Sequence, residues 1–171
     1  MQENPDEVFV PTAQKRAAAG IAQKLLKEAG VLEVPTSLRT VIHHLQKSQD
    51  IFLEKLTDVS TKVSGLLVLC NENDDEYAVI GYNDKHPWCR RRFTIAHEIG
   101  HLLMGHACNR QENETSINET EANCFAAELL MPVQTLKKDI KTIRDIPTLA
   151  KRYLVSSQAM GIKLIDAHLL K

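Results

Sequence analysis

The sequence predicts an α+β domain: a small antiparallel sheet of about three strands packed on a helical core, with further helices toward the C-terminus. Two observations carry this. Apolar residues recur at helical spacing before residue 47 and again after residue 88. Between these stretches, short β-branched and aromatic runs are bounded by Asn, Asp and Gly clusters, the pattern of strands. The order of helices, strands, then helices is that of an α+β fold and not of alternating βαβ units.

Each element has its own signal. Residues 1–12 are polar and acidic at the start and are expected to be disordered; residues 13–171 form one domain. An alanine-rich helix runs over Ala13–Ala29, with Ile21, Leu25 and Leu26 inward and Gly30 as its stop. Pro35 and Thr36 open a second helix, Ser37–Gln46, which closes the N-terminal helical region 13–48. The sheet region, 51–82, holds strands at Ile51–Leu56, Gly65–Cys70 and Tyr77–Tyr82. The polar run Asn71–Glu76 reads as a hairpin loop between the last two. Asn83–Pro87 separates the sheet from two helices over 88–130. After Pro132 the chain is helical again over 133–171, with segments Val133–Ile140, Ile146–Tyr153 and Ser156–Ile165.

Composition bounds the function. The 171 residues suffice for one sizeable core, and 43% hydrophobic with 25% charged residues is the mix of a soluble globular protein. A net charge of −1 provides no basic field, so direct nucleic-acid binding is not expected. The acidic start lacks the basic and apolar regions of a secretory signal, and no apolar run is long enough to span a bilayer. The scattered cysteines, Cys70, Cys89, Cys108 and Cys124, fit a reduced, cytoplasmic protein.

The chemistry lies in His97-Glu98-Ile99-Gly100-His101, an H-E-x-x-H pattern. Positions i and i+4 stack on one helix face, so His97 and His101 can point both imidazoles at one ion. Glu98 lies about 100° round the helix, where its carboxylate serves as general base beside the ion and not as a ligand. The flanks, Phe93 to Ala96 and Leu102 to Met104, are mostly apolar, so the helix is largely buried. Two histidines and a glutamate in a buried helix need partners, and a zinc ion supplies them. Gly100 costs about 1 kcal/mol against Ala inside a helix, which implies close approach by another element.

A third ligand is expected downstream. Asn118–Leu130 reads as a helix with Ala122, Phe125, Ala126, Leu129 and Leu130 as its apolar stripe. Glu119 and Asn123 share a face, which suits a carboxylate ligand and an amide that orients a ligand histidine. Glu121 is the rival ligand; Glu119 is favoured because only it has an Asn at i+4. The polar run Asn109–Glu114 is the expected loop between the two helices.

The run RFTIAHEIGHLL, followed by E-T-E-A-N-C-F-A-A-E-L-L-M-P, resembles the ImmA/IrrE family of bacterial metallopeptidases. The resemblance covers roughly residues 35–165 and rests on two motifs in the right order and spacing. It implies a zinc-metallopeptidase core with His97, His101 and Glu119 as metal ligands, Glu98 as catalytic base and Asn123 behind a ligand histidine. It further implies a protein substrate, a helix-turn-helix repressor or antitoxin. Two alternatives stand beside it: a non-catalytic, metal-stabilised module that sequesters a repressor, or a toxin-like partner of a helix-turn-helix antitoxin.

Several residues are candidates by type only. Tyr77, Tyr82, His86, His106 and Tyr153 are possible oxyanion donors. Cys89 and Cys108 flank the motif helix and are read as small buried thiols; His43, His44 and His168 are read as structural. Leu149–Met160 resembles a helix-turn-helix, but Leu154 stands where a sharp turn favours Gly. Lys163 is the one base on the second helix, so the pair is expected to pack on the domain.

Overall fold

The computed structural model describes residues 12–72, 75–106 and 112–170. The predicted disordered start, residues 1–11, lies outside them. Among the described residues are seven helices and one three-stranded sheet, an α+β fold with helices at its C-terminal end.

Helix α1 (Thr12–Glu28) buries Ala18, Ala22, Leu25 and Leu26. These small and branched side chains form the stripe that packs on α4. It ends as expected at Gly30, whose φ of +68° lets the Val31 N–H reach Leu26 O at 2.9 Å. Helix α2 (Leu38–Leu45) is capped by Ser37, whose Oγ accepts from the Thr40 N–H.

Strands β1 (Asp50–Leu56), β2 (Gly65–Glu72) and β3 (Asp75–Asn83) lie in the order β1-β3-β2. The sheet is mixed, which corrects the antiparallel expectation: β3 pairs antiparallel with β2 but parallel with β1. The connection from residue 57 to 64 permits this order, and burial in the sheet centre selects it. That connection is long enough to carry the chain past the central position, so β3 inserts between its two predecessors and buries Ala78 and Ile80. The hairpin is also longer than predicted. Asn71 pairs with Glu76 and Glu72 with Asp75, so the polar run contributes two rungs of the ladder. Ile51, Leu67, Ala78 and Ile80 are the buried apolar side chains of the sheet, and its β2 and β3 strands pack against α3.

Helix α3 (Trp88–Leu103) crosses against α4 (Glu112–Leu130). Gly100 marks the closest approach. A Cβ there would stand 3.0 Å from Phe125 Cδ1 and 3.3 Å from Ala122 Cα, the packing reason expected for a helical glycine. Helix α4 begins six residues before the predicted Asn118, so 112–114 are helix and not loop. Apolar periodicity registers only the apolar part of a helix, and the run Glu112-Asn113-Glu114-Thr115-Ser116 carries no apolar residue.

Helices α5 (Val133–Asp139), α6 (Ile146–Tyr153) and α7 (Ser157–Asp166) follow. Leu154 takes the left-handed conformation, φ 53° and ψ 47°, despite its side chain, so the α6–α7 turn is as sharp as a glycine turn. Leu149, Ala150, Tyr153, Met160 and Leu164 turn inward, and the pair packs on the domain as expected. Buried Glu128 ties this end together. It accepts from Gln23 of α1, from the Val133 N–H and from Lys163 of α7.

Candidate metal centre

Two helices and one turn build the site. On α3 the i, i+4 spacing brings the His97 and His101 rings to 4.6 Å between centroids, with their Nε2 atoms 3.0 Å apart. Helix α4 crosses at Gly100 and delivers Glu119. Its carboxylate oxygens lie 3.1 Å from His97 Nε2 and 3.2 Å from His101 Nε2. These three side chains are the group among the described residues able to hold one metal ion.

The donor atoms are close enough to share one metal ion: the Nε2 atoms of His97 and His101 lie 3.0 Å apart, and each faces a different oxygen of Glu119, His97 facing Oε2 at 3.1 Å and His101 facing Oε1 at 3.2 Å. The imidazoles of His101 and then His97 hold the Glu119 carboxyl well below the usual carboxylate range, so it presents a charged oxygen.

A metal held at Nε2 of both imidazoles would leave the proton of each on Nδ1. In that tautomer His97 Nδ1–H donates to Asn123 Oδ1 at 3.0 Å. His101 Nδ1–H donates to His106 Nδ1 at 2.9 Å, and His106 Nε2–H donates to Glu121 Oε2 at 3.0 Å. Carboxylate, imidazole, imidazole and metal position form one polarised line.

Sequence reasoning missed this arrangement, taking His106 only as a candidate oxyanion donor and Glu121 only as a rival ligand. The signal was present in Gly105. With φ +66° it ends α3, the Gly105 N–H returns to Leu102 O, and the His106 N–H returns to His101 O at 3.0 Å. That capping turn folds His106 back over His101. Glu121 faces His106, on the other side of α4 from Glu119.

Glu98 is buried and lines a cleft of about 720 Å³ together with His97, His101, Glu119 and Asn123. The opposite wall is the segment from Lys62 to Leu67, which enters β2, an edge strand of the sheet. Gly65 lets β2 press this close. A Cβ there would collide with Thr94 Cγ2, lie 2.7 Å from Gly81 O and crowd Glu98 Oε1 at 3.3 Å. Asn83 Nδ2 donates to Ser60 O and Val63 O, and His86 Nε2–H donates to Thr61 O, so both side chains brace this wall from behind. At the cleft mouth Arg90 Nη2 donates to Ser64 Oγ at 2.8 Å.

The remaining candidates fall elsewhere. Tyr77, Tyr82, His86 and Tyr153 do not line the cleft. Tyr153 donates to Asp139 Oδ2, and burial followed by that carboxylate raises its pKa. Tyr77 packs edge-on against Phe52. Cys89 is half-buried at the start of α3, and Cys108 lies outside the described residues.

A His-His-Glu triangle on crossed helices, with a glutamate beside it in a cleft against an edge strand, defines a metallopeptidase-like domain. Residues 46–164 match the model of the peptidase family described as the IrrE N-terminal-like domain, and the chain belongs to that family. The ImmA/IrrE resemblance read from the two motifs is thereby borne out. The chain is similar to the radiation response metalloprotease IrrE of Deinococcus radiodurans, with 36% identity over 99 residues, 50% of this chain and 30% of that protein. Its fold superposes on a Mycobacterium tuberculosis transcriptional regulator with a TM-score of 0.65 at 17% identity, over 85% of this chain and 45% of the other. The chain thus spans less than half the length of either relative. No helix among the described residues is long and apolar enough to cross a membrane.

Proposed function

We propose that this chain is a cytoplasmic, zinc-dependent endopeptidase that cleaves a specific regulatory protein, a helix-turn-helix repressor or antitoxin. The observation that supports it is the ligand triangle with Glu98 in the same cleft. When bound, Zn²⁺ supplies Lewis acidity, lowering the pKa of water and polarising the scissile carbonyl. Glu98 takes the proton from the attacking water and delivers it to the leaving amine. Asn123 and the His106–Glu121 pair hold the two imidazoles in the tautomer that leaves Nε2 bare. The β2 side of the cleft, at Gly65 and Leu66, takes the substrate backbone in extended form. Folded helices do not offer such a backbone, so cleavage falls in a linker of the substrate.

The substrate class is supported by the family resemblance and by a fold neighbour that is itself a transcriptional regulator. The test uses purified chain, Zn²⁺ and the regulator encoded beside it, with products read by mass spectrometry. The expected result is one or a few zinc-dependent cuts, with casein left largely intact. Glu98→Gln keeps the zinc and loses about 100- to 10,000-fold in cleavage rate. A Glu98→Gln protein that cuts at the normal rate removes Glu98 from the mechanism. One that displaces an intact regulator from DNA makes the chain a binding module instead.

A further inference from the structure

Helix α3 has a second working face. Trp88, Arg91, Arg92 and Ile95, at i, i+3, i+4 and i+7, turn away from the metal ligands and form one wall of a separate groove of about 800 Å³. Arg39 and His43 of α2 line it as well, and Leu53 of β1 and Tyr82 of β3 complete it.

The groove is chemically one-sided. Three arginines and a histidine line it, and among the described residues no Asp or Glu does, in a chain whose net charge is −1. Arg92 is 6% exposed, yet its Nη2 donates only to a neutral carbonyl, Thr36 O at 2.9 Å. Its Nε has no acceptor, and neither has the Nε of Arg91. Burial lowers the Arg92 pKa, though a guanidinium remains charged at any physiological pH. A buried cation without a counter-charge is costly. Elsewhere this chain avoids that cost: buried Glu128 is matched to Lys163. No carboxylate among the described residues pairs with Arg39, Arg91 or Arg92.

The groove is also apolar where it meets solvent. Trp88 is 58% exposed, with the Arg91 guanidinium 5.3 Å from its ring centroid, and Leu53 is 39% exposed. A small free anion would satisfy the arginines and leave Trp88 and Leu53 in water. A peptide bearing carboxylates and one apolar side chain satisfies both.

We propose that the groove between α2 and α3, formed by Arg39, Arg91, Arg92 and Trp88, is a docking site for an acidic peptide segment with an apolar anchor, supplied by a partner protein. The carboxylates pair with the guanidiniums, and the anchor covers the Trp88 ring. This site is distinct from the cleft that holds His97 and Glu98, and it operates whether or not the chain cleaves peptides.

Trp88 is the single tryptophan of the chain, so tryptophan emission reports on the surroundings of this groove. The probes are a peptide of about ten residues carrying several Glu and one Phe, the same peptide with every Glu replaced by Gln, and inorganic phosphate. The Glu peptide is expected to change Trp88 emission saturably, with affinity falling as salt rises. The Gln peptide should bind at least about tenfold more weakly, the loss of one charge-assisted pair or more. Arg39→Ala and Arg91→Ala are chosen because Arg92→Ala risks the fold. Their double variant should lose the response while binding zinc as the parent does. Equal affinity for the two peptides, or an unchanged response in the double variant, overturns the proposal. Phosphate that reproduces the emission change and displaces the peptide makes this a small-anion site, which also overturns it. No outcome depends on cleavage, so failure of the peptidase reading and failure of this one are separable.

Discussion

Gly20 and Gly100 are both helix-interior glycines, and replacing each by alanine should move stability in opposite directions. The intrinsic gain is the same, about 1 kcal/mol from helix propensity. At Gly20, on the exposed side of α1, nothing lies within 4 Å of the added Cβ, so the full gain is realised. At Gly100 the Cβ would stand 3.0 Å from Phe125 Cδ1, 3.2 Å from Phe125 Cγ and 3.3 Å from Ala122 Cα. Ordinary carbon contacts need about 3.5–4.0 Å. Phe125 and Ala122 are fully buried, so neither has room to yield, and α3 and α4 must part by about half an ångström. Overpacking of this kind costs about 1–3 kcal/mol. Set against the propensity gain, Gly100→Ala should be about 1 kcal/mol less stable than the parent, about 2–4 °C in Tm, and Gly20→Ala higher by a similar amount. The parting of the helices also carries Glu119 away from both imidazoles by more than the roughly 0.2 Å tolerance of a metal bond. Zinc affinity of Gly100→Ala should therefore fall more than about tenfold. Thermal melts of the metal-free proteins and zinc titration against a competing chelator measure the two effects. A Gly100→Ala protein that melts as high as Gly20→Ala and keeps full zinc affinity refutes the tight-crossing argument.

Three further outcomes follow from the same geometry. Elemental analysis should find about one zinc per chain, abolished in the His97→Ala, His101→Ala double variant and sharply reduced in Glu119→Ala. Asn123→Ala, His106→Ala and Glu121→Gln should each weaken zinc by about 10- to 100-fold, the range for residues that orient a ligand histidine. The last gives Glu121 a part in zinc binding other than that of the rival ligand read from the sequence, and full affinity in both His106→Ala and Glu121→Gln would remove the relay. Glu128→Ala leaves the Lys163 ammonium buried without its partner, an effect of about 3–5 kcal/mol in urea unfolding; a Glu128→Gln, Lys163→Met pair should cost clearly less, because no charge is then left alone.

What the sequence displays depends on whether a physical constraint acts locally. Helices α1, α2, α5, α6 and α7 fall within a residue or two of their predicted limits, since capping groups such as Ser37 and Ser156 and the apolar stripes that follow are local features. Strand order is not local. The chain from 57 to 64 says how far β2 can travel from β1 but not on which side of β3 it will land. The parallel β1–β3 pair is chosen by burial of Ala78 and Ile80 in the sheet centre, a tertiary effect. The start of α4 was misplaced for a related reason, because the sequence from Glu112 to Ser116 has no apolar side chain that periodicity could register.

The site shows the same division. His97, Glu98 and His101 are fixed by one helical turn, and the Glu119–Asn123 pairing by another, so the spacing alone brought the ligand set within reach. Their supports come from turns and from across the fold. His106 acts through a glycine cap, which relates residues five apart by a chain reversal and not by a helix face. Asn83 and His86 brace the cleft wall from more than twenty residues away in sequence. The arginines of the second groove are the extreme case. Arg91 and Arg92 belong to the run next to the motif, where they read as ordinary helix-start cations. Only the fold shows that Arg92 is buried against a carbonyl, that Arg39 converges on it from another helix, and that no carboxylate among the described residues pairs with either. A motif therefore identifies the atoms that could hold a metal. The groups that hold those atoms, and the surfaces that select a partner, emerge only once distant segments are brought together.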